Sequence, residues 1–231
     1  MNEQSALAVD PVLVDTAISV LIVDDDRWTT RAVASALEDA GDIVVVGIEH
    51  SGEDAVGAFA QLRPDIVLMD VNMGAGMSGI EATAQIRALD RHARVLVLTT
   101  ISPGPGIART LEAGAMAVLN KTAPPEVLVD VIRTAAAGES PRLLRNLAAD
   151  ISLNGDIQPG SPARFPSLTD RELVTLRLIC EGMEYVQIAG HLGVAESTVK
   201  THARSLREKL DAQNLAQLVV RALQYRLYIP A

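Results

Sequence analysis

Three consecutive aspartates, Asp24, Asp25 and Asp26, directly follow the apolar run VLIV. Neighbouring carboxylates repel one another, and an ionised carboxylate near a core is costly unless a cation or a hydrogen-bond donor compensates it. Polar residues also stand at the ends of three later apolar runs. They are Asp70, Thr99 with Thr100, and Lys121. Carboxylates brought together would suit Mg²⁺, which prefers oxygen ligands. With a hydroxyl and a lysine beside them, they indicate phosphoryl transfer onto an aspartate.

The elements that would position these residues alternate between strand and helix patterns. Short aliphatic runs predict five strands, at residues 20–23, 43–47, 65–70, 94–100 and 115–120. Helical spacing of apolar residues predicts helices at 30–40, 53–62, 79–89, 107–113 and 125–137. Continuous apolar strands separated by helices predict an α/β fold, with a doubly wound five-stranded parallel sheet covered on both faces. Sites in such sheets form at the carboxyl ends of the strands, and only the second strand offers no candidate residue there.

A simpler explanation of these residues is that Asp and Thr at strand ends cap helices and turns. We accept it for Asp26, which we expect at the N-cap or in the first turn of the next helix. For the other strand-end residues together, a shared position at one edge of the sheet favours a common site.

Charge divides the chain into two parts. The 231 residues carry a net charge of −9, but residues 1–163 hold 11 Lys/Arg against 22 Asp/Glu, whereas residues 164–231 hold 9 against 7. The Gly-, Pro- and Ser-rich stretch 152–167 between them is typical of a flexible linker. The sequence therefore predicts an acidic domain joined to a smaller, mildly basic one.

The remaining composition favours a cytoplasmic protein. All apolar runs are far shorter than the roughly 20 residues of a membrane span. Residues 1–15 include acidic side chains where a signal peptide would have basic ones. The single cysteine, Cys180, stands in an apolar helical repeat, and we expect a buried, reduced thiol there.

The basic domain has the layout of a helix-turn-helix. Thr169 and Glu172 have the spacing of a capping box, which predicts a helix running to Gly182. A short helix, a turn at Gly193 and a second helix from about Glu196 follow. On that second helix an apolar stripe should face inward and basic residues outward. The stripe is Val199, Ala203, Leu206 and Leu210, and the outer residues are Lys200, Thr201, Arg204 and Arg207. A positive outer face suits insertion into the DNA major groove, although ordinary solvated helices also carry Lys and Arg.

Residues 19–138 resemble the receiver domain of bacterial two-component response regulators, which has a flavodoxin-like fold. The resemblance rests on LIVDDD, IVLMDVNM, VLVLTT and AVLNK, in that order and spacing. It implies that Asp70 accepts a phosphoryl group from a histidine kinase, while Thr99 and Lys121 hold the phosphoryl oxygens. It also implies a Mg²⁺ cofactor. The implied ligands are Asp25, Asp70 and the main-chain carbonyl of Asn72, with Asp24 helping through water.

The basic domain resembles the LuxR/NarL-type DNA-binding domain, through LTDRE, LICEGM, IAGHLGVAESTVKTH and LREKL. The expected DNA-binding residues are Lys200, Thr201, Arg204 and Arg207. The last helix, at about residues 215–227, would supply a dimer face. The implied organisation is an N-terminal extension at 1–18, a receiver domain at 19–138, a linker at 139–166 and a DNA-binding domain at 167–231.

The two resemblances together imply a transcription regulator activated by Mg²⁺-dependent phosphorylation of Asp70. Its expected partners are a cognate histidine kinase and double-stranded DNA, with no membrane. The active species would be a homodimer on an inverted repeat, since one small domain reads too few base pairs alone. We expect no enzymatic activity beyond slow self-dephosphorylation.

The chain departs from the family pattern in four places. The loop after Asp70 reads GAGMSG, without the usual Pro and Asp-Gly, and Val118 replaces an aromatic residue three positions before the lysine. The segment ISPGPGIA is rich in Pro and Gly where relatives are acidic and helical. Before the first helix of the helix-turn-helix, EYV at residues 184–186 replaces polar and basic residues, which weakens the expected phosphate contacts.

Two alternatives stay open at this point. The departures in the receiver domain would suit an atypical regulator that binds DNA without phosphorylation. A haloacid-dehalogenase-like phosphatase also uses a strand-one aspartate, a later Thr and a Lys. Two features of the sequence count against the phosphatase. That class needs Thr or Val where this chain has Trp28, and it needs a late acidic pair, which the segment AVLNKTAPPEV lacks.

Overall fold

The computed structural model describes residues 17–74, 76–100, 106–145, 147–153 and 167–230. The predicted N-terminal extension therefore lies almost wholly outside the described residues, as do residues 101–105 of ISPGPGIA.

The first domain contains the predicted five-stranded parallel sheet, in the order β2-β1-β3-β4-β5. The strands are β1 Ile18–Val23, β2 Ile43–Glu49, β3 Ile66–Asp70, β4 Val95–Thr99 and β5 Ala117–Asn120. Every residue of β3 and β4 is buried, as expected for inner strands covered on both faces. The order places β1 and β3 side by side, so that Asp24 and Asp70 reach the same edge of the sheet.

Among the described residues of this domain, five helices cover the two faces of the sheet. They are α1 Arg27–Glu38, α2 Gly52–Leu62, α3 Gly79–Leu89, α4 Ile107–Glu112 and α5 Pro125–Ala137. Asp26 caps α1 as predicted, because its side chain accepts a hydrogen bond from the amide of Trp28. A capping box formed by Ser78 and Glu81 begins α3, and Pro125 stands in the first turn of α5. The helix α4 has only six residues and begins after Gly106, whose φ is +99°.

Part of the predicted linker is folded, which differs from the expectation of a linker across residues 139–166. A 3₁₀ helix spans Pro141–Leu144, and a further helix, α6, spans Leu147–Leu153. Leu144, Leu147 and Ile151 are buried in the same hydrophobic cluster as the DNA-binding domain. Apolar residues at 144, 147, 148 and 151 have helical spacing, so this segment contributes to the core.

Within residues 167–230, the second domain forms four helices. They are α7 Asp170–Cys180, α8 Tyr185–Leu192, α9 Glu196–Leu210 and α10 Leu215–Gln224. The capping box of Thr169 and Glu172 begins α7, and Gly193 ends α8 with a φ of +64°, both as predicted. The four residues of the predicted inward stripe on α9 are all buried. Cys180 is a buried free thiol. Across the described ranges, none of the helices has the length and apolar character that a membrane span needs.

Candidate functional site

The carboxylates of Asp24, Asp25 and Asp70 converge at the carboxyl edge of the sheet. One ligand oxygen from each lies within 4.8 Å of the others. Asp24 and Asp70 are buried, whereas Asp25 is exposed. Two adjacent residues just after β1 and the last residue of the neighbouring strand β3 therefore place three negative charges around one point, which solvent reaches from the Asp25 side.

Lys121 supplies the opposing charge. Its Nζ lies 2.6 Å from Oδ2 of Asp24 and 3.0 Å from Oδ2 of Asp70. The position of Lys121 is set by the end of β5, where its amide donates to the carbonyl of Thr99 at 2.8 Å. Burial raises the pKa of Asp24. Burial opposes the charge of Lys121 as well, but its contacts with Asp24 and Asp70 outweigh that effect and raise the pKa of the lysine. We therefore describe the group as an ammonium held between two carboxylates at neutral pH.

Backbone and ring groups around the cluster fix the acidic side chains. The amide of Asp26 donates to Oδ1 of Asp24 at 3.0 Å, and the amide of Gly74 donates to Oδ2 of Asp25 at 2.9 Å. His50 Nδ1 lies 2.8 Å from the carbonyl oxygen of Asp24. His50 follows β2, the strand for which the sequence offered no candidate site residue. Its contact is to main chain, and no pattern in the sequence pointed to it.

The loop after β3 passes very close to Asp70. A Cβ on Gly79 would lie 1.8 Å from the carbonyl oxygen of Asp70, so that only glycine fits there without a backbone shift. The amide of Met77 donates to Oε1 of Glu53 at 2.9 Å, which ties the loop to α2. The GAGMSG loop thus has its own anchors in place of the usual Pro and Asp-Gly.

The donor set at this edge fits Mg²⁺. Three hard carboxylate oxygens within reach of one point, with one carboxylate open to solvent, match the preference of this ion for oxygen ligands and retained waters. Asn72 is exposed beside Asp70, and Thr99 is buried at the end of β4. The predicted site residues of the receiver domain are therefore together at one sheet edge.

The predicted DNA-binding residues lie on the outer surface of α9. Lys200, Thr201 and Arg204 are exposed, and Arg207 is half-buried. Lys200 and Arg204 form ion pairs within the helix, with Glu196 at 2.7 Å and with Glu208 at 3.1 Å. Arg207 instead binds Oε2 of Glu139, just after α5, at 2.6 Å.

The last helix, α10, packs against the receiver domain of its own chain. Asn214 donates to the carbonyls of Gly114 and Ala115, and Gln217 donates to the carbonyl of Glu112, all at the end of α4. Eight of the ten residues of α10 are buried. The face predicted to form a dimer is thus covered within the chain, and a dimer through α10 requires α10 to leave α4.

Comparisons with known proteins match both domains. Residues 20–133 match the response regulator receiver domain, and residues 166–222 match the bacterial regulatory proteins of the luxR family. The response regulator protein VraR of Staphylococcus aureus strain NCTC 8325 is 33% identical over 213 residues, covering 91% of this chain and 98% of VraR. The chain belongs to the LuxR family of two-component response regulators. It therefore carries a DNA-binding output domain, and this family is not a known family of enzymes.

One solved structure agrees with the receiver fold. The signal receiver domain of NarL from Mycobacterium tuberculosis is 28% identical, with a TM-score of 0.50, and covers 53% of this chain and 98% of that domain. The response regulator ChrA of a heme-sensing two-component system aligns over 92% of this chain and 100% of ChrA, at 29% identity and a TM-score of 0.48. Membership of the response-regulator family decides against the phosphatase alternative, and it implies a kinase and DNA as partners.

Proposed function

We propose that this response regulator switches DNA binding through Mg²⁺-dependent phosphorylation of Asp70 by a histidine kinase. One observation carries the proposal. The carboxylates of Asp24, Asp25 and Asp70 converge within 4.8 Å, and Nζ of Lys121 lies 3.0 Å from Asp70. A carboxylate beside both an oxygen-rich cation site and an ammonium group can receive a phosphoryl group whose charge is already compensated.

In the proposed reaction a carboxylate oxygen of Asp70 attacks phosphorus. The new O–P bond forms as the P–N bond of a phosphohistidine breaks, and the imidazole nitrogen keeps the electron pair. Lys121 would exchange part of its contact with Asp70 for a phosphoryl oxygen, and the hydroxyl of Thr99 would donate to another. Mg²⁺ held by Asp25, Asp70 and the carbonyl of Asn72, with Asp24 acting through water, would neutralise further phosphoryl charge. We propose no turnover beyond slow hydrolysis of this acyl phosphate.

The proposed output is binding of a homodimer to an inverted repeat in the cytoplasm. Phosphorylation adds nearly two negative charges at the strand ends that precede α4 and α5. A shift of α4 would remove the carbonyl groups that Asn214 and Gln217 bind, and so would favour release of α10. Two copies of α9 would then read the half-sites. The proposed contacts are Lys200, Thr201, Arg204 and Arg207.

Acyl-phosphate labelling tests the phosphoacceptor directly. The wild-type chain, incubated with acetyl phosphate and Mg²⁺, is expected to carry one phosphoryl group on the peptide that contains Asp70. Asp70→Asn should abolish this label, and Asp25→Ala should reduce it because a metal ligand is lost. Asp39→Asn is a matched control, since Asp39 is exposed at the far end of α1. A label that survives Asp70→Asn but disappears in Asp24→Asn would reject the assignment.

A second candidate is a regulator that binds DNA without phosphorylation. The observation in its favour is Val118, which is half-buried against the core and lacks the ring that usually changes position in this family. The two candidates differ in one measurement. If Asp70→Asn and wild type bind DNA equally with and without acetyl phosphate, the phosphorylation-independent candidate is correct.

A further inference from the structure

A cleft of about 930 Å³ lies between the two domains, remote from the phosphoacceptor. One wall comes from the end of α3 and the turn before β4, and the other comes from α9 and the turn that follows it. Five arginines and a histidine line the cleft. They are Arg87, Arg91, His92, Arg94, Arg204 and Arg207. The family resemblances assign no role to this cleft, and the proposed phosphorylation does not involve it.

The cleft is basic in an otherwise acidic protein. Its carboxylates are Glu139, Glu208 and Asp211, so that five arginines face three acids. The whole chain carries a net charge of −9, which makes this local excess of positive charge unusual for it. Concave surfaces lined by one sign of charge concentrate ions of the opposite sign.

Among the described residues, carboxylates act on two arginines of the receiver wall from beyond ion-pair distance: Glu139 and Asp90 act on Arg87, and Asp65 acts on Arg94. Within the described part of the chain, Arg87, Arg91 and Arg94 form no ion pair, whereas Arg204 and Arg207 do. Arg87 instead donates to the carbonyl of Ala93 at 2.9 Å and to Oε1 of Gln213 at 3.1 Å. These contacts hold its guanidinium across the domain boundary. Burial lowers the pKa of Arg87, and Glu139 and Asp90 offset only part of this effect, so a further anion in contact with the guanidinium would relieve the cost of its charge.

We propose that this interdomain cleft binds a small anion with two or more phosphate groups, either an inorganic polyphosphate or a nucleoside diphosphate. Planar guanidinium groups bind phosphate oxygens with two parallel hydrogen bonds, and several arginines on facing walls suit a ligand with more than one phosphate. The cleft volume lies within the range of about 300–1,000 Å³ that small-molecule sites occupy. A ligand that touches both walls would hold the recognition helix α9 against the receiver domain.

The size of the cleft favours a small anion over the DNA backbone. The major groove of B-DNA is about 12 Å wide, and the duplex as a whole is wider than its groove. A duplex therefore needs an open convex surface, such as an exposed α9, and does not fit into a closed cleft. The facing wall of Arg91 and Arg94 would obstruct a duplex in the arrangement described here. A bound polyphosphate is therefore expected to compete with DNA for Arg204.

Isothermal titration of the full-length chain with inorganic pyrophosphate, and separately with ADP, tests the proposal. EDTA in the buffer keeps the phosphoacceptor site free of metal. We expect saturable binding with one ligand per chain. The double variant Arg91→Gln/Arg94→Gln should bind at least about tenfold more weakly, because hydrogen bonds to charged groups are lost. Tighter binding of ADP would assign the ligand to nucleotides, and equal binding would assign it to inorganic polyphosphate.

Arg133→Gln is the control, because it makes the same type of substitution, with one charge removed instead of two, at an exposed arginine on α5 that pairs with Asp42. It should leave binding unchanged, and circular dichroism should show all variants folded. Asp70→Asn should also bind pyrophosphate normally, so a failure of the phosphorylation proposal would not affect this result. Absence of saturable binding, or an equal loss in Arg133→Gln and the double variant, would overturn the proposal.

Discussion

Replacing Glu172 with Gln should lower the local stability of α9, the helix proposed to read DNA. Glu172 lies on α7 and is buried, yet it reaches α9 twice, through Ser205 at 2.7 Å and Lys209 at 2.7 Å. It also accepts from the amide and hydroxyl of Thr169 in the capping box. One carboxylate therefore joins the first helix of the DNA-binding domain to the helix proposed to read DNA.

The pKa of Glu172 gives the size of the effect. Burial alone would raise this pKa, but contacts with Lys209, Thr169 and Ser205 lower it from 4.5 to about 2. At 1.36 kcal/mol per pKa unit the shift corresponds to about 3 kcal/mol. Lys209 has a side chain that is 35% exposed, and solvent screening reduces the figure to about 2 kcal/mol. Glutamine keeps an acceptor for the capping box, so Glu172→Gln should cost about 1–2 kcal/mol.

Native-state hydrogen exchange of the α9 amides measures this loss of stability locally. A local measurement is needed because a chain of two domains does not have to unfold as one cooperative unit. Because folding lowers the pKa of Glu172, its stabilisation is complete above pH 4.5 and declines as pH falls towards 2. The difference between wild type and Glu172→Gln should therefore shrink from pH 6 to pH 3. The control Glu208→Gln removes an exposed ion pair with Arg204 and should cost about 0.5 kcal/mol or less. Equal protection in Glu172→Gln and wild type at pH 6, or a difference that does not change with pH, would show that the ionised Glu172 does not stabilise α9.

Three further outcomes are expected. Titration with Mg²⁺ should quench the fluorescence of Trp28, which lies in the first turn of α1 just after the three aspartates, and Asp25→Ala should remove the saturable signal. A linear response in both proteins would contradict metal binding there. Gly79→Ala should abolish labelling of Asp70, because its Cβ would lie 1.8 Å from a carbonyl oxygen, and labelling at the wild-type rate would show that the loop adapts. Arg204→Ala should weaken binding to a cognate DNA site by about 1–3 kcal/mol and relax preference at one position, whereas a uniform loss across sequences in a binding assay would make it a phosphate contact.

Local patterns predicted most of the fold. Helices α3 and α5 have the predicted bounds, because a capping box and a proline in the first turn mark their starts. Strands β1 and β2 extend by two residues beyond the predicted runs, since main-chain pairing continues past the most apolar residues. The acidic cluster was predictable because parallel strands place their carboxyl ends at one edge.

Contacts between distant residues could not be predicted from these patterns. The pairing of Arg207 with Glu139 and the hydrogen bonds of Asn214 to the end of α4 join residues separated by 68 to 100 positions. They depend on how the two domains meet, which no local periodicity encodes. The helical part of the predicted linker could not be predicted for a related reason. Its apolar residues at 144–151 are few, and their burial depends on α10.

The central claim is that phosphorylation of Asp70 controls DNA binding. The most direct measurement is fluorescence anisotropy with an inverted-repeat site, selected from random DNA, using wild type and Asp70→Asn with and without acetyl phosphate and Mg²⁺. Acetyl phosphate should tighten DNA binding by wild type, with two chains per site, and should leave DNA binding by Asp70→Asn unchanged. Equal affinity of wild type in both conditions, or an equal response in Asp70→Asn, would contradict the central claim.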